Sequence, residues 1–272
     1  PPVGNSGIRN RLWIFIEGSE MNKSTNKFHC DLRHPTKKEM NYSKLLKGKR
    51  VALVASGSSL KDSGRGDFVD SFDVVIRLNR ALPVPTNIQT DVGKRTDVLY
   101  NTLDTFPDAG GPIDGNLWKS CGVKYVCSTY PKSEYFTHPE WSEGLNDIIP
   151  TRWMRDEVYH PIREKMKYRP NSGITALADL LSFDIKEVHL LGMDFYRTLY
   201  DTDYLIHGAT IESIEEHFAE NVVDRHDPDS MYLYFKNEMY PNDDRIIIDN
   251  YFKDILKDPK YDSMFFVKEN QK

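Results

Sequence analysis

The sequence is poor in the residues and runs that mark several classes of protein. Its 272 residues include three cysteines, Cys30, Cys121 and Cys127, too few and too irregularly spaced for a disulfide framework or a zinc site. No apolar run approaches the roughly 20 residues that a membrane-spanning helix needs. The net charge of -5 offers no clustered positive field, which argues against a nucleic-acid-binding surface.

Common nucleotide-binding and metal-binding motifs are also missing. The chain contains neither GxGxxG nor GxxxxGK[ST], which argues against a Rossmann dinucleotide fingerprint and a P-loop. The D-x-D triplet "DTD" at 201–203 follows no predicted strand. We therefore expect no metal at this site.

Short apolar runs alternate with helical patterns along most of the chain. Helices are predicted at about 155–167 and 172–183, and the strand candidates are "RVALV" from residue 50, 72–79, 96–101, 123–128, 187–192 and 245–249. Such alternation indicates an α/β protein with an open, mostly parallel twisted sheet, Rossmann-like and covered by helices on both faces.

The sequence divides into two parts of different character. Residues 1–48 are polar and irregular and are predicted to form a peripheral N-terminal arm, whereas residues 49–272 form a single domain. Within that domain, the segment from about 197 to 225 has tyrosines, acids and two histidines but no deep apolar run, which is typical of a lid.

Small hydrogen-bonding residues follow the predicted strands. In open parallel sheets, ligands bind at the carboxyl ends of the strands. The residues at those positions, with the start of the helix predicted at 172, are Ser56, Gly57, Ser58, Asn79, Asn101, Asn171, Ser172, Gly173, Gly192, Asp194 and Tyr196. The turn at Asn171 can serve as a helix cap or hold an anion with its amide groups, and both interpretations stay open on the residues alone.

Several motifs along the chain resemble those of known enzyme families and occur in the same order as in those families. "FDVVIRLNRALPVPTNIQTDVGKRTDVLYN" resembles the large sialylmotif of animal-type sialyltransferases, glycosyltransferase family 29, and "NSGITALADLLSFDIKEVHLLG" resembles their small sialylmotif. The extended form ending in "GMDFY" also resembles the bacterial lipooligosaccharide sialyltransferases of family 42. The resemblance covers roughly residues 50–101 and 169–240. It implies the GT-A-like variant of the Rossmann-like fold found in sialyltransferases.

The resemblance also implies roles for individual residues. Ser56, Gly57 and Ser58 match the first nucleotide-binding turn, Asn79 and Asn101 match contacts to CMP, and Gly192 matches the cytidine pocket. Asn171, Ser172 and Gly173 match the turn near the donor sugar and its carboxylate, with Asp194 as a supporting residue. Tyr196 matches a phosphate ligand and His226 the general base. Weaker matches for phosphate or acceptor contacts are Arg169, Tyr200, Tyr204 and His207.

Departures from the two families fall at a few positions. Ser56 replaces the usual asparagine of the first turn, Met231 stands where the animal-type motif has a glutamate, and the paired cysteines of the animal motifs are missing. Tyr200 and Tyr204 compete for the place of a second phosphate-binding tyrosine.

The implied activity is inverting transfer of sialic acid from CMP-sialic acid to a hydroxyl of a glycan, most simply a galactoside. The acceptor would belong to an oligosaccharide, glycolipid or glycoprotein, and no cofactor or metal is expected. Transfer of Kdo or Kdn, an inactive nucleotide-binding homologue, and an NAD- or methyl-donor-binding protein are the alternatives. Because the chain starts at Pro1, membrane association through a preceding segment stays open, and so does a Golgi or a bacterial or viral cytoplasmic location.

Overall fold

The computed structural model describes residues 36–105, 110–134, 137–197 and 226–263. Its strands form one seven-stranded sheet in the order β5-β4-β3-β2-β1-β6-β7, and every adjacent pair is parallel. The strands are β1 (Arg50–Val54), β2 (Val74–Leu78), β3 (Val98–Asn101), β4 (Tyr125–Ser128), β5 (Thr151–Arg152), β6 (Glu187–Leu191) and β7 (Ile246–Ile248). This confirms the predicted Rossmann-like α/β fold. Each predicted strand is present, and only the two-residue edge strand β5 was missed.

Helices cover both faces of the sheet, as the buried apolar strands require. They are α1 (Lys37–Leu46), α2 (Gly66–Asp70), α3 (Gln89–Val92), α4 (Gly115–Ser120), α5 (Leu145–Ile148), α6 (Asp156–Met166), α7 (Ser172–Leu181), α8 (Pro228–Tyr234) and α9 (Asn250–Lys257). Every residue of α7 is buried, because its apolar side chains point in all directions around the helix. The helices predicted at 155–167 and 172–183 are therefore confirmed, with ends one or two residues away.

The first described helix lies inside the region predicted to be a peripheral arm. Tyr42 and Leu46 of α1 are fully buried in the main hydrophobic core. The Arg152 guanidinium of β5 donates to both carboxylate oxygens of Glu39 at 3.0 and 3.1 Å. Helix α1 thus packs into the core through Tyr42 and Leu46, whereas the division into an arm of residues 1–48 and a domain of residues 49–272 stays a prediction. The polar sequence concealed the helix because its apolar positions are few and widely spaced.

The order of the strands places a crevice between β1 and β6. From β1 the chain builds the sheet outward through β2 to β5, and then it returns to the other side of β1 to form β6 and β7. The strand order reverses at this point, and in doubly wound sheets the crevice outside the carboxyl ends at such a point is where ligands bind. The residues that follow β1 and β6 therefore lie at the end of the sheet where a ligand is expected to bind.

Within the described ranges, no helix has the length and apolar character needed to cross a bilayer. Nor do His, Cys, Asp or Glu side chains gather in threes in the same ranges in a way that could hold a metal ion. The "DTD" triplet and most of the segment predicted as a lid, with Tyr200, Tyr204 and His207, lie outside the described residues.

Candidate active site

The turns after β1 and β6 touch through their glycines. The Gly57 N–H donates to the Gly192 carbonyl at 2.7 Å. A Cβ atom on Gly57 would lie 2.6 Å from that carbonyl oxygen, and one on Gly192 would lie 2.7 Å from the Ala55 oxygen. Gly192 also has a φ of +64°, a conformation that glycine adopts without steric cost. The sequence needs glycine at both positions because two backbones meet here.

Beside these turns, a cleft opens on the carboxyl side of β1 and β2. Its lining includes the turn residues Ser56 and Gly57, the ammonium-bearing Lys61, and apolar side chains such as Val84 and Ile88. Ser58 is half-buried at the start of the turn that follows. A wall that combines backbone, hydroxyl groups and apolar surface suits a planar base and a ribose.

Asn79 joins the ends of β2 and β3 to the start of α7. Its side-chain N–H donates to the Ser172 hydroxyl at 3.1 Å, and its side-chain oxygen accepts from the Thr102 N–H at 3.2 Å. The backbone of Asn79 has a φ of +50°, which asparagine tolerates better than most residues. The structure thus brings together two of the residues predicted from separate parts of the chain.

The start of α7 is capped and also faces the turn after β6. Asn171 accepts the Ile174 N–H at 3.0 Å through its side-chain oxygen, while its amide nitrogen lies 3.5 Å from the Tyr196 hydroxyl. A Cβ on Gly173 would lie 2.6 Å from the Met193 sulfur, so the helix and the turn pack closely. The N–H groups of the first turn of a helix have no carbonyl partner within the helix, and the positive end of the helix dipole lies at this point.

The turn after β6 is held in an uncommon backbone conformation. Phe195 and Tyr196 have φ values of +54° and +66°, in the left-handed region that costs non-glycine residues energy. Asp194 stabilises the turn, because both its carbonyl and its carboxylate accept from the Arg197 N–H at 3.2 Å. Its side chain therefore has a structural role that supports the position of Tyr196.

His226 lies two residues before α8, and its ring hydrogen-bonds to the backbone of the segment before α7. Its Nδ1 lies 2.8 Å from the Arg169 carbonyl oxygen. A carbonyl only accepts, so Nδ1 donates and the lone pair of the neutral ring lies on Nε2. Asp227 then caps α8 by accepting the Asp229 N–H at 3.1 Å, and burial raises the pKa of its carboxyl group.

Tyr130, which the sequence reasoning missed, also belongs to this region. It follows β4, is 4% exposed, and has the Arg169 guanidinium 5.7 Å from the centre of its ring. Burial raises the pKa of its hydroxyl, and the charges of Arg169, which lowers it, and of Tyr196, which raises it, also act on the group. The rule that led to Asn79, a polar residue just after a strand, could have found it.

Asn101 differs from the other predicted contacts. It is fully buried, its side-chain nitrogen donates to the Gly110 carbonyl at 3.0 Å, and its oxygen accepts from the Leu103 N–H at 2.7 Å. Both ends of the amide are thus engaged in shaping the loop after β3. A contact from Asn101 to a nucleotide stays a prediction.

The resulting arrangement has two sides with different chemistry. One side offers hydroxyl, amide and backbone N–H donors from Asn79, Ser172, Asn171 and Tyr196, with the Arg169 guanidinium nearby. Donors of this kind stabilise the negative charge that develops on a departing phosphate. The other side offers the imidazole of His226, whose Nε2 can accept a proton.

Comparisons with known proteins identify one family and several similar solved structures. The family model described as glycosyltransferase family 29 (sialyltransferase) matches residues 5–172. No curated protein sequence matches the chain. Similar solved structures include a mammalian sialyltransferase in complex with Gal-beta-1-3GalNAc-ortho-nitrophenol, at 16% identity and a TM-score of 0.44, covering 76% of this chain and 71% of that one. Another is the Campylobacter jejuni sialyltransferase CstII in complex with cytidine-5'-monophosphate, at 16% identity and a TM-score of 0.46, covering 74% and 80%.

Proposed function

The chain belongs to glycosyltransferase family 29, the sialyltransferases, and from that premise we propose that it transfers sialic acid from CMP-sialic acid to a hydroxyl of a galactoside, with His226 as general base. The family model ends at Ser172. The roles of Tyr196 and His226 therefore rest on the resemblance of the motifs after residue 172 and on the geometry of the site.

The observation that carries the proposal is the hydrogen bond from Nδ1 of His226 to the Arg169 carbonyl. It fixes the tautomer in which Nε2 is the basic nitrogen, as a general base requires. It also ties the histidine to the same short segment that starts α7, where Asn171 and Ser172 lie. Base and donor-binding groups are thus held by one stretch of backbone.

The chemistry follows from the charges that change during transfer. As the bond between the anomeric carbon and CMP breaks, negative charge grows on the phosphate, and the Tyr196 hydroxyl and the Arg169 side chain are the groups that stabilise it. The amide and hydroxyl groups at the start of α7 receive the carboxylate of the sugar. His226 removes the proton of the acceptor hydroxyl late in the displacement. Direct attack of this kind inverts the anomeric configuration.

The test is a transfer assay on purified protein with CMP-Neu5Ac, CMP-Kdn and CMP-Kdo against a set of galactosides, following CMP release and product mass. His226→Ala is expected to lower kcat by about 100-fold or more, the usual contribution of a general base, with little change in donor KM. His160→Ala is the matched control, since His160 is an exposed residue of α6. EDTA is expected to leave the rate unchanged, because CMP departs with a single phosphate.

Each other outcome has a defined meaning. Near-normal transfer by a folded His226→Ala protein shows that another group is the base. Preference for CMP-Kdn or CMP-Kdo corrects the donor while leaving the reaction class intact. Absence of CMP release with every donor and acceptor contradicts the proposed transfer.

A further inference from the structure

Arg197 and Asp229 form a buried ion pair that joins the turn after β6 to the start of α8. The Arg197 Nη1 lies 2.7 Å from the Asp229 Oδ1, and both side chains are 0% exposed. The Arg197 Nη2 also donates to the Pro228 carbonyl at 3.1 Å, and the guanidinium carbon lies 4.3 Å from the centre of the Tyr232 ring. One side chain therefore contacts the start of α8 in three different ways.

Arg197 and Asp229 each lie close in sequence to one of the two proposed reacting groups. These groups are the Tyr196 hydroxyl, which faces the leaving phosphate, and the His226 imidazole, which accepts the proton. Arg197 directly follows Tyr196, and its N–H is held by Asp194. Pro228 and Asp229 lie just after His226, whose ring is fixed by the Arg169 carbonyl. The segment that bears the imidazole is thus anchored on one side by its own Nδ1 and on the other side by Arg197.

We propose that Arg197 is a positioning residue that fixes Nε2 of His226 relative to the hydroxyl of Tyr196. The inference rests on the proposed function, in which these two atoms face the acceptor and the leaving phosphate. Reaction geometry is demanding, since a displacement of about 1 Å can lower a rate about 100-fold. A planar guanidinium is required because it addresses the Asp229 carboxylate and the Pro228 carbonyl together, which a lysine ammonium cannot do with the same rigidity.

The first test is Arg197→Met, which keeps the length of the side chain and removes its charge. Transfer kcat is expected to fall between about 10-fold and 100-fold, whereas the donor KM stays within about 3-fold of wild type, because only the groups on the His226 side are displaced. Arg245→Met is the matched control. Arg245 is buried and pairs with Asp243 at 2.6 Å, but it precedes β7 and so lies at the amino end of the parallel strands, whereas the site lies at their carboxyl end. This control is expected to lower the thermal midpoint without lowering kcat.

A second variant separates positioning from stability. Arg197→Met alone leaves the Asp229 carboxylate buried without its counter-ion, which is destabilising. The double variant Arg197→Met/Asp229→Leu replaces the ion pair by apolar groups, a change that often restores stability. Its thermal midpoint is expected to return toward wild type while kcat stays low. A kcat that recovers together with stability overturns the proposal.

Two further measurements distinguish this proposal from failure of the proposed function. In the His226→Ala background, Arg197→Met is expected to change kcat by less than about 2-fold, since residues that act as a unit are not additive; a full additional loss overturns the proposal. The ring-nitrogen NMR shifts of His226, identified by their disappearance in His226→Ala, need no activity. They are expected to report an Nδ1-protonated ring in wild type and to change in Arg197→Met. Unchanged shifts overturn the proposal even if no transfer is found with any donor.

Discussion

At the scale of single residues, the site depends on close contacts that only particular side chains allow. Gly57 and Gly192 permit two backbones to meet, and Asn79 adopts a positive φ while hydrogen-bonding two other elements. His226 obtains its tautomer from a backbone carbonyl. In each case the chemistry of one residue is set by a neighbour that is distant in sequence.

Gly57→Ala is expected to weaken binding of CMP about 10-fold or more and to destabilise the protein by about 1–3 kcal/mol, the usual cost of overpacking. The added Cβ would lie 2.6 Å from the Gly192 oxygen, so the two turns must separate. Calorimetric titration with CMP and chemical denaturation measure both effects. Gly122→Ala is the control, since it also strains the backbone, at a φ of +91°. Gly122 precedes β4 and lies at the amino end of the parallel strands, so this substitution is expected to leave CMP affinity unchanged.

Asp179 provides a pH-dependent contribution to stability. Burial raises the pKa of its carboxyl group, but the charge and hydrogen bonds of Arg152 and the Tyr100 hydroxyl lower it more, so that the pKa lies below its ordinary value. The stabilisation is therefore present above the unfolded-state pKa of about 4 and is lost as the pH falls through the folded-state value.

Asp179→Asn is expected to cost about 3–5 kcal/mol at pH 7, because it breaks a buried pair, and this cost should shrink as the pH falls below about 4. Urea denaturation at several pH values measures it. Asp254→Asn is the control, since the Asp254 side chain is 76% exposed. A cost that does not change with pH shows that the Asp179 carboxylate is not the source of the effect.

At the scale of elements, α1 and α7 are joined by the side chains that lie between them. Arg152 contacts Glu39 of α1 and Asp179 of α7, and the Tyr42 and Tyr100 hydroxyls lie 3.0 Å apart. A buried polar network between α1 and α7 therefore fixes the position of α7. It thereby also fixes the N-terminus of α7, which lies in the site. A helix outside both sialylmotifs contributes to that network.

Tyr42→Ala is expected to destabilise the protein by about 3–5 kcal/mol, as for other large aromatic side chains removed from a core. Met40→Ala on the same helix is the matched control. Because Met40 is 45% exposed, we expect a change within about 0.5 kcal/mol. Equal effects of the two substitutions on the denaturation midpoint contradict the assignment of α1 to the core.

At the scale of the whole molecule, one sheet runs through all the described strands, and the main core joins side chains of α1, α6, α7, α8 and α9. We propose that residues 49–272, together with α1, fold as a single domain. Unfolding in urea is then expected to be one cooperative transition, with coincident curves from tryptophan fluorescence and far-UV circular dichroism. Two resolved transitions show that the chain contains independent units.

The sequence by itself determined the fold class, the strands and the set of turns that form the site. Those features are encoded locally, because buried parallel strands are continuous apolar runs and glycine, serine and asparagine follow them. The long helices were predictable for the same reason. The positions of α1 and β5 were not, because their few apolar residues become informative only when they meet partners from elsewhere in the chain.

Only the tertiary structure decided how the predicted residues are used. It assigned Asn101 to the interior of a loop, brought Tyr130 to Arg169, and set the tautomer of His226 through a backbone carbonyl. It also joined Arg197 to Asp229 in a pair that no sequence pattern indicated. The physical reason is that hydrogen bonds and ion pairs depend on distances of a few ångströms between residues far apart in the chain, whereas periodicity and turn chemistry depend on neighbours.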